Sequence, residues 1–328
     1  MPEPKLKLKE ILEPVEGNIK KVESLLLSNL ETDIPLLTEI GHYILQSGGK
    51  RVRPAMLLCS AGAFGFEGDE ACLAANVIEY IHTATLLHDD VVDNAEMRRS
   101  KKSTRSVWGN EAAVLVGDYL FTVSFKYLAR LNSMPIIEMM SKATTMMARG
   151  EILQLTRAFE NSSEEEYLEI VIHKTACLIG AGMAIGGILG GANKEQIDAL
   201  YNSGESIGVS FQMIDDYLDY IEDRQAIGKP MGIDLKERKI TLPLSHLLKN
   251  ASTADKESVL EILDFDEIVD KDISHVAQLM RKYNSLEYTK QEATKYAEKA
   301  KKMLSIIPEN QFRKSIELLA DYIVNRES

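Results

Sequence analysis

Asp89-Asp90-Val91-Val92-Asp93 closes an apolar run with helical patterning. Asp89 and Asp93 stand four apart, so on a helix their carboxylates share one face. Like charges at that spacing repel, and acids at a helix C-terminus oppose its dipole. A cation between them removes both penalties. The pattern returns as Asp215-Asp216-Tyr217-Leu218-Asp219, again behind an apolar run, Phe211-Gln212-Met213-Ile214. If two such helices face each other, up to six carboxylates converge, and such a set needs several cations. Oxygen-only donors favour Mg²⁺, which shares its shell among carboxylates, water and substrate phosphates. The implied ligand is a diphosphate. No His/Cys cluster accompanies the aspartates, which argues against zinc.

Two basic clusters accompany the acids. Gly48-Gly49-Lys50-Arg51-Val52-Arg53-Pro54 joins three cations to flexible backbone, and Arg98-Arg99 with Lys101-Lys102 follows the first acidic motif. Arginine forks suit phosphate oxygens, so these clusters read as a second, metal-free anion site. Each cluster alone also reads as solvated surface charge. A nucleic-acid footprint is disfavoured, because 38 Lys+Arg face 50 Asp+Glu and no aromatics interleave with the cations. His82 shares the helix face of Asp89, two turns away, whereas His88 and His173 read as core histidines. Met139, Met140, Met146 and Met147 read as core filling. There is no Ser/His/Asp nucleophile arrangement and no Gly-rich phosphate loop of the GxxxxGK[ST] kind.

The elements that position these groups are helices. No proline lies between Pro54 and Pro135 or between Pro135 and Pro230, and an interior proline costs a helix about 3 kcal/mol. Helices are expected over 71–93, 111–131, 135–159 and 195–224. Ser163 and Glu166 form a capping box for the helix through YLEIVIHKTACLIG. Amphipathic helices follow Asn250, ending in RKSIELLADYIVNRE, and polar loops are expected near 47–53, 94–110 and 225–240. With 328 residues, 45% hydrophobic and 27% charged, disorder, collagen and a small disulfide scaffold are excluded. No repeat or linker interrupts the chain, so a single all-α domain over 1–328 is expected.

Cys59, Cys72 and Cys177 sit in apolar stretches without a CxxC pair and read as reduced core thiols. The N-terminal stretch alternates charge and lacks an apolar signal core, so a cytoplasmic location is expected. One stretch, 176–192, is uncharged over 17 residues and carries six glycines. It reads as a buried, closely packed helix rather than a membrane span.

GGKRVRP, LLHDDVVDNAEMRR, GDYL, GEILQL, HKTA, FQMIDDYLD, GKPMGIDLKERKITLPL and DYIVNR occur in that order. On these motifs the chain resembles the trans-isoprenyl diphosphate (polyprenyl) synthases from about residue 40 to the C-terminus. It is most similar to their medium- and long-chain bacterial members of the octaprenyl type. The resemblance implies an all-α bundle around a deep central cavity, of the isoprenoid synthase type, usually a homodimer. It implies that Asp89, Asp90, Asp93, Asp215, Asp216 and Asp219 hold two or three Mg²⁺ ions on an allylic diphosphate. Arg98, Lys174, Lys229 and Lys239 would add charge to that leaving group. Lys50, Arg53, His82 and Arg99 would hold isopentenyl diphosphate, and Thr175 and Gln212 would face the developing cation. A long apolar product further implies transient contact with a membrane surface at release.

Product length follows from helix geometry. Thr85 and Ala84, four and five residues before Asp89, lie about 6–7.5 Å deeper at 1.5 Å per residue. Both are small, and Ile81 lies one turn further down, so a product longer than fifteen carbons is expected. Met140, ahead of Ala143 and Met147 on the 135–159 helix, is a candidate floor. Small residues there equally permit tight helix packing. Competing readings are a shorter-chain farnesyl or geranylgeranyl diphosphate synthase and a non-enzymatic helical cation-binding protein. A squalene-synthase-like enzyme fits GGKRVRP less well, and a terpene cyclase would carry an NSE-type second motif.

Overall fold

The long proline-free segments are helical. A computed structural model describes residues 7–28, 30, 32–46, 49–98, 101–156, 163–221, 231–239 and 241–326. Its helices begin with α1 (Leu8–Ile11), α2 (Glu16–Ser28), α3 (Pro35–Gln46), α4 (Val52–Gly62) and α5 (Asp69–Val92). A short antiparallel ribbon, β1 (Met97–Arg98) with β2 (Lys101–Lys102), precedes α6 (Thr104–Trp108), α7 (Asn110–Leu131) and α8 (Met134–Thr156). Next, α9 (Glu164–Val171) passes through a π-helix (Ile172–Ala176) into α10 (Cys177–Leu189), followed by α11 (Lys194–Asp219). The remainder comprises α12 (Ile233–Lys236), α13 (Leu242–Asn250), α14 (Thr253–Leu263), α15 (Asp270–Lys282), α16 (Ser285–Met303) and α17 (Gln311–Asn325).

The expected helices over 71–93 and 111–131 are α5 and α7, and the 135–159 helix is α8 as far as Thr156. The capping box forms as read: Ser163 Oγ accepts from the Glu166 N–H at 3.1 Å, and the Glu166 carboxylate accepts from the Ser163 N–H at 3.2 Å. Three expectations need correction. The loop expected near 225–240 contains α12 among its described residues. The helix expected over 195–224 ends at Asp219, whose carbonyl accepts the Gly232 N–H at 3.0 Å; positions 222–224 lie outside the described residues. The loop expected over 94–110 contains the ribbon and α6. Ser103 caps α6 by accepting from the Ser106 N–H, while its hydroxyl donates to the Ala95 carbonyl at 2.6 Å. Two-residue strands are too short to show an alternating pattern.

The chain resolves into two compact units. The first comprises Met1–Thr144, Leu178–Tyr201 and Leu304–Leu318; the second comprises Thr145–Cys177, Asn202–Met303 and Leu319–Ser328. In the first unit α5 is the central rod, with α2, α4 and α7 packed along it. Its Ile78 and Ile81 are buried, each contributing about 1.5–3 kcal/mol by leaving water. The glycine-rich stretch is buried from 176 to 187 and reaches solvent at Gly191; a Cβ at Gly186 would lie 2.4 Å from the Leu57 carbonyl oxygen, so α10 and α4 touch backbone to backbone. Among the described residues, length and composition would allow two helices to cross a membrane, α7 and Glu164–Leu189. The sequence reading singled out only the second.

The second unit packs α9, the π-helix, α11, α13 and α16 around Tyr167, Val171, Ala176, Val209, Met213 and Ile214. A neighbouring cluster joins Tyr220, Leu235, Leu244, Ile273, Val276 and Met280. All three cysteines are buried free thiols, and burial pushes the Cys59 thiol up to about 12.

Candidate active site

On α5 the first motif separates into two roles. Asp89 and Asp93 are half-buried, whereas Asp90 is buried and accepts from Nε of Arg98 at 2.5 Å. Burial raises the Asp90 carboxyl above its ordinary value, and the Arg98 charge opposes that rise. Arg98 was expected on a leaving group; here its guanidinium is held by the motif's middle aspartate. A cleft opens beside the pair, lined among others by Tyr43, Leu87, Asp90, Arg98 and Lys102.

The same unit brings Arg53 to His82, with Nη1 3.1 Å from Nε2. Lys50 is exposed just before them. Ile81, Ala84 and Met140 are fully buried, and half-buried Thr85 donates its hydroxyl to the His82 carbonyl at 2.8 Å. His88, read as a core histidine, is instead 38% exposed at the side chain, 3.3 Å from Asp118. Arg99 and Lys229 lie outside the described residues.

In the second unit the second motif repeats the division at its first two positions, while its third aspartate, Asp219, is buried as well. Asp215 is half-exposed, and Asp216 is buried between Tyr167, whose hydroxyl donates at 2.7 Å, and Gln212, whose amide donates at 2.9 Å. Burial pushes the Asp216 carboxyl up to about 7; these two bonds oppose the shift, and the charges of Asp215 and Asp219 add to it. The Gln212 carbonyl accepts from the Thr175 hydroxyl at 3.3 Å, so Thr175, Gln212, Asp216 and Tyr167 form one chain of hydrogen bonds. Lys174 pairs with Glu151 at 2.6 Å and donates to Gln154 at 3.4 Å. Lys239 pairs with Glu237.

Lys174 and Thr175 owe their placement to the π-helix. One extra residue per turn widens the helix, a distortion frequent at functional sites. Two glycines admit the widened backbone. A Cβ at Gly150 on α8 would lie 2.7 Å from the Lys174 nitrogen, and one at Gly208 on α11 would lie 2.5 Å from the Ala176 Cα.

The donor set fits a hard divalent cation. Asp215, Asp216 and Asp219 are joined by Asp234, whose N–H donates to the Asp219 carboxylate at 3.0 Å. Burial, then the charges of Asp219 and Asp216, push the Asp234 carboxyl well above its ordinary value. Crowded carboxylates that resist ionisation are what a dication relieves. Among the described residues no three carboxylates or imidazoles are already gathered as ligands. Mg²⁺ is ordinarily held by one or two carboxylates with water and phosphate completing its shell.

The polyprenyl synthetase family model matches residues 34–281. The octaprenyl diphosphate synthase of Escherichia coli (strain K12) is 37% identical over 323 residues, 98% of this chain and 100% of that one. This chain belongs to the polyprenyl synthetase family. A polyprenyl synthase from Caulobacter crescentus CB15, complexed with calcium and isoprenyl diphosphate, matches over the whole of both chains. Its TM-score is 0.94 at 34% identity. A geranylgeranyl pyrophosphate synthetase from Pyrococcus horikoshii matches at TM-score 0.90 and 34% identity, over 98% of this chain and 100% of that one. Membership of the polyprenyl synthetase family makes the chain an all-α prenyltransferase. Sequence reasoning missed Tyr167, Asp234 and Arg326 around the second motif. Arg326 donates to Asp215 at 2.6 Å. Asp234 and Arg326 lie within the family-like stretches GIDLKE and DYIVNR.

Proposed function

We propose that this prenyltransferase condenses isopentenyl diphosphate with an allylic diphosphate, head to tail, to give a medium- or long-chain all-trans polyprenyl diphosphate. One observation carries the reading. Both DDxxD motifs combine an accessible first aspartate with a buried second one pinned by the protein, by Arg98 at Asp90 and by Tyr167 and Gln212 at Asp216. The pinned residue fixes its helix end; Asp89, Asp93 and Asp215 are the accessible residues, and Asp219 is buried beside Asp234. Asp89, Asp93, Asp215 and Asp219 would hold two or three Mg²⁺ ions, with Asp90 and Asp216 completing the set. Bound Mg²⁺ supplies the positive charge that a diphosphate leaving group requires.

The chain's own groups do the rest. Lys174 and Lys239 add charge near the leaving group. The oxygens of Thr175 and Gln212 present dipoles to the allylic cation as the C–O bond breaks. Lys50, Arg53 and His82 hold the second diphosphate so that its alkene can attack, and the released diphosphate accepts the proton then lost. Apolar walls on the motif helices exclude water, which would quench the cation to an alcohol. Similarity alone does not set product length, since relatives of comparable identity are named for octaprenyl and geranylgeranyl products. The buried, small Ala84 and the small Thr85 support a product beyond fifteen carbons.

The reading includes a homodimer working in the cytoplasm, with transient membrane contact for product release. The reduced, buried thiols support the compartment. Val114 and Phe125, in phase on α7 and 37% and 52% exposed, support a self-association surface. Radiolabelled isopentenyl diphosphate with geranyl or farnesyl diphosphate, in Mg²⁺ or EDTA, tests the function. Mg²⁺-dependent products longer than the primer are expected; label that stays in isopentenyl diphosphate under both conditions would refute it.

A further inference from the structure

Arg51 opens α4 from backbone that few non-glycine residues adopt, φ 48° and ψ 32°. A residue that begins a helix ordinarily does so from extended backbone, and a left-handed arginine persists only where its surroundings over-determine it. Here they do. The guanidinium donates from Nη1 to Glu79 Oε2 at 2.9 Å and from Nε to Glu23 Oε1 at 3.2 Å. The Arg51 and Glu79 side chains are 12% and 8% exposed, so the pair is a buried, charge-assisted link from the start of α4 to α5.

Two residues further along the chain, Arg53 meets His82 at 3.1 Å. Glu79 and His82 stand three apart on α5, one turn along the same face. Positions 51 and 53 therefore meet α5 in two successive rungs. In the first rung Glu79 and Glu23 neutralise Arg51. The second rung carries the Arg53 charge, with the exposed Lys50 just upstream.

We infer that Arg51 is a positioning residue of the anion site. Its pair with Glu79 fixes the left-handed turn and the register of α4 on α5, and so sets Lys50, Arg53 and His82 for the diphosphate of isopentenyl diphosphate. Arg51 itself does not touch that anion. The inference rests on the proposed role of Lys50, Arg53 and His82.

The test is steady-state kinetics on the full chain, with the two diphosphates varied separately and circular dichroism reporting the fold. Arg51→Met/Glu79→Leu exchanges the pair for apolar groups, a change that buried ion pairs often tolerate in folding. Glu79→Gln removes only the charge, and Arg51→Lys keeps the charge but loses the fork. The double variant and Glu79→Gln should raise KM for isopentenyl diphosphate about tenfold, the scale of one weakened charge-assisted contact. kcat and KM for the allylic diphosphate should stay near wild type, and Arg51→Lys should fall between. An unchanged KM in the folded double variant overturns the inference. So does a parallel loss in kcat and both KM values, which marks a merely structural pair. Tighter isopentenyl diphosphate binding by Glu79→Gln overturns it too, by marking Arg51 as a direct ligand. Arg53→Gln is the control: if it leaves KM unchanged, the anion-site assignment has failed and the inference falls with it.

Discussion

Arg326 donates from Nη2 to Oδ1 of Asp215 at 2.6 Å while its guanidinium lies over the Phe211 ring, 4.1 Å from the centroid. The accessible aspartate of the second motif thus has a fixed cation partner from just beyond α17. The Arg326 side chain is only 6% exposed, so a divalent ion at Asp215 binds beside a held cation, through Oδ2 or by sharing or displacing the contact at Oδ1. Arg326→Gln should lower the melting temperature of the metal-free protein and enlarge the gain on adding Mg²⁺. Thermal denaturation with and without Mg²⁺ checks this; equal gains in the two proteins would contradict it.

Gly208 faces the π-helix with no room for a methyl group. Gly208→Ala should destabilise the protein by about 1–3 kcal/mol, the usual cost of overpacking. It should also lower kcat, because Lys174 and Thr175 ride on the displaced backbone. Urea denaturation and turnover together are the check, and wild-type values of both would rule the constraint out.

The helices and both acidic motifs were legible because proline gaps and repeated apolar-then-acidic runs survive in the sequence. The π-helix was not: one inserted residue barely alters the hydropathy pattern, and its only signs are Gly150 and Gly208 on other helices. Nor does sequence separate Asp90 and Asp216 from their neighbours: Tyr167, one of the two groups that pin Asp216, is remote in the chain, and Gln212, the other, carries no local mark of that role. Arg51 gave no cue to its left-handed turn, because the usual sign of such a turn is a glycine. At the end of α11 the Asp219 carbonyl accepts from the Gly232 N–H, a partner too remote in the chain for local patterning to reveal.

Asp255 accepts hydrogen bonds from Lys282 and Tyr283, each at 2.6 Å, which hold its carboxyl at about 2, below the ordinary 3.8. A depressed folded-state value means stability that is present above the unfolded pKa and lost as pH falls through the folded one. Asp255→Asn should therefore melt lower than wild type at neutral pH, with the gap closing between pH about 4 and about 2. A gap constant over that range would contradict the assignment.

Thr85 is half-buried one turn before Asp89, whereas Ala84 is fully buried. Thr85→Phe should shorten the main product by blocking the face along which the prenyl chain grows. Ala84→Phe should cost about 1–3 kcal/mol through overpacking, as well as shortening the product. Product analysis by reversed-phase chromatography decides; an unchanged length profile in folded Thr85→Phe would remove the chain-length argument.

On the proposed function, both acidic motifs serve one diphosphate-releasing reaction. Turnover of Asp89→Ala and Asp215→Ala, each at saturating Mg²⁺ and both substrates, tests it most directly. Each variant should lose about 10²–10³-fold or more in kcat, the scale of removing one charge-stabilising group. Near-normal rates in both would contradict the account.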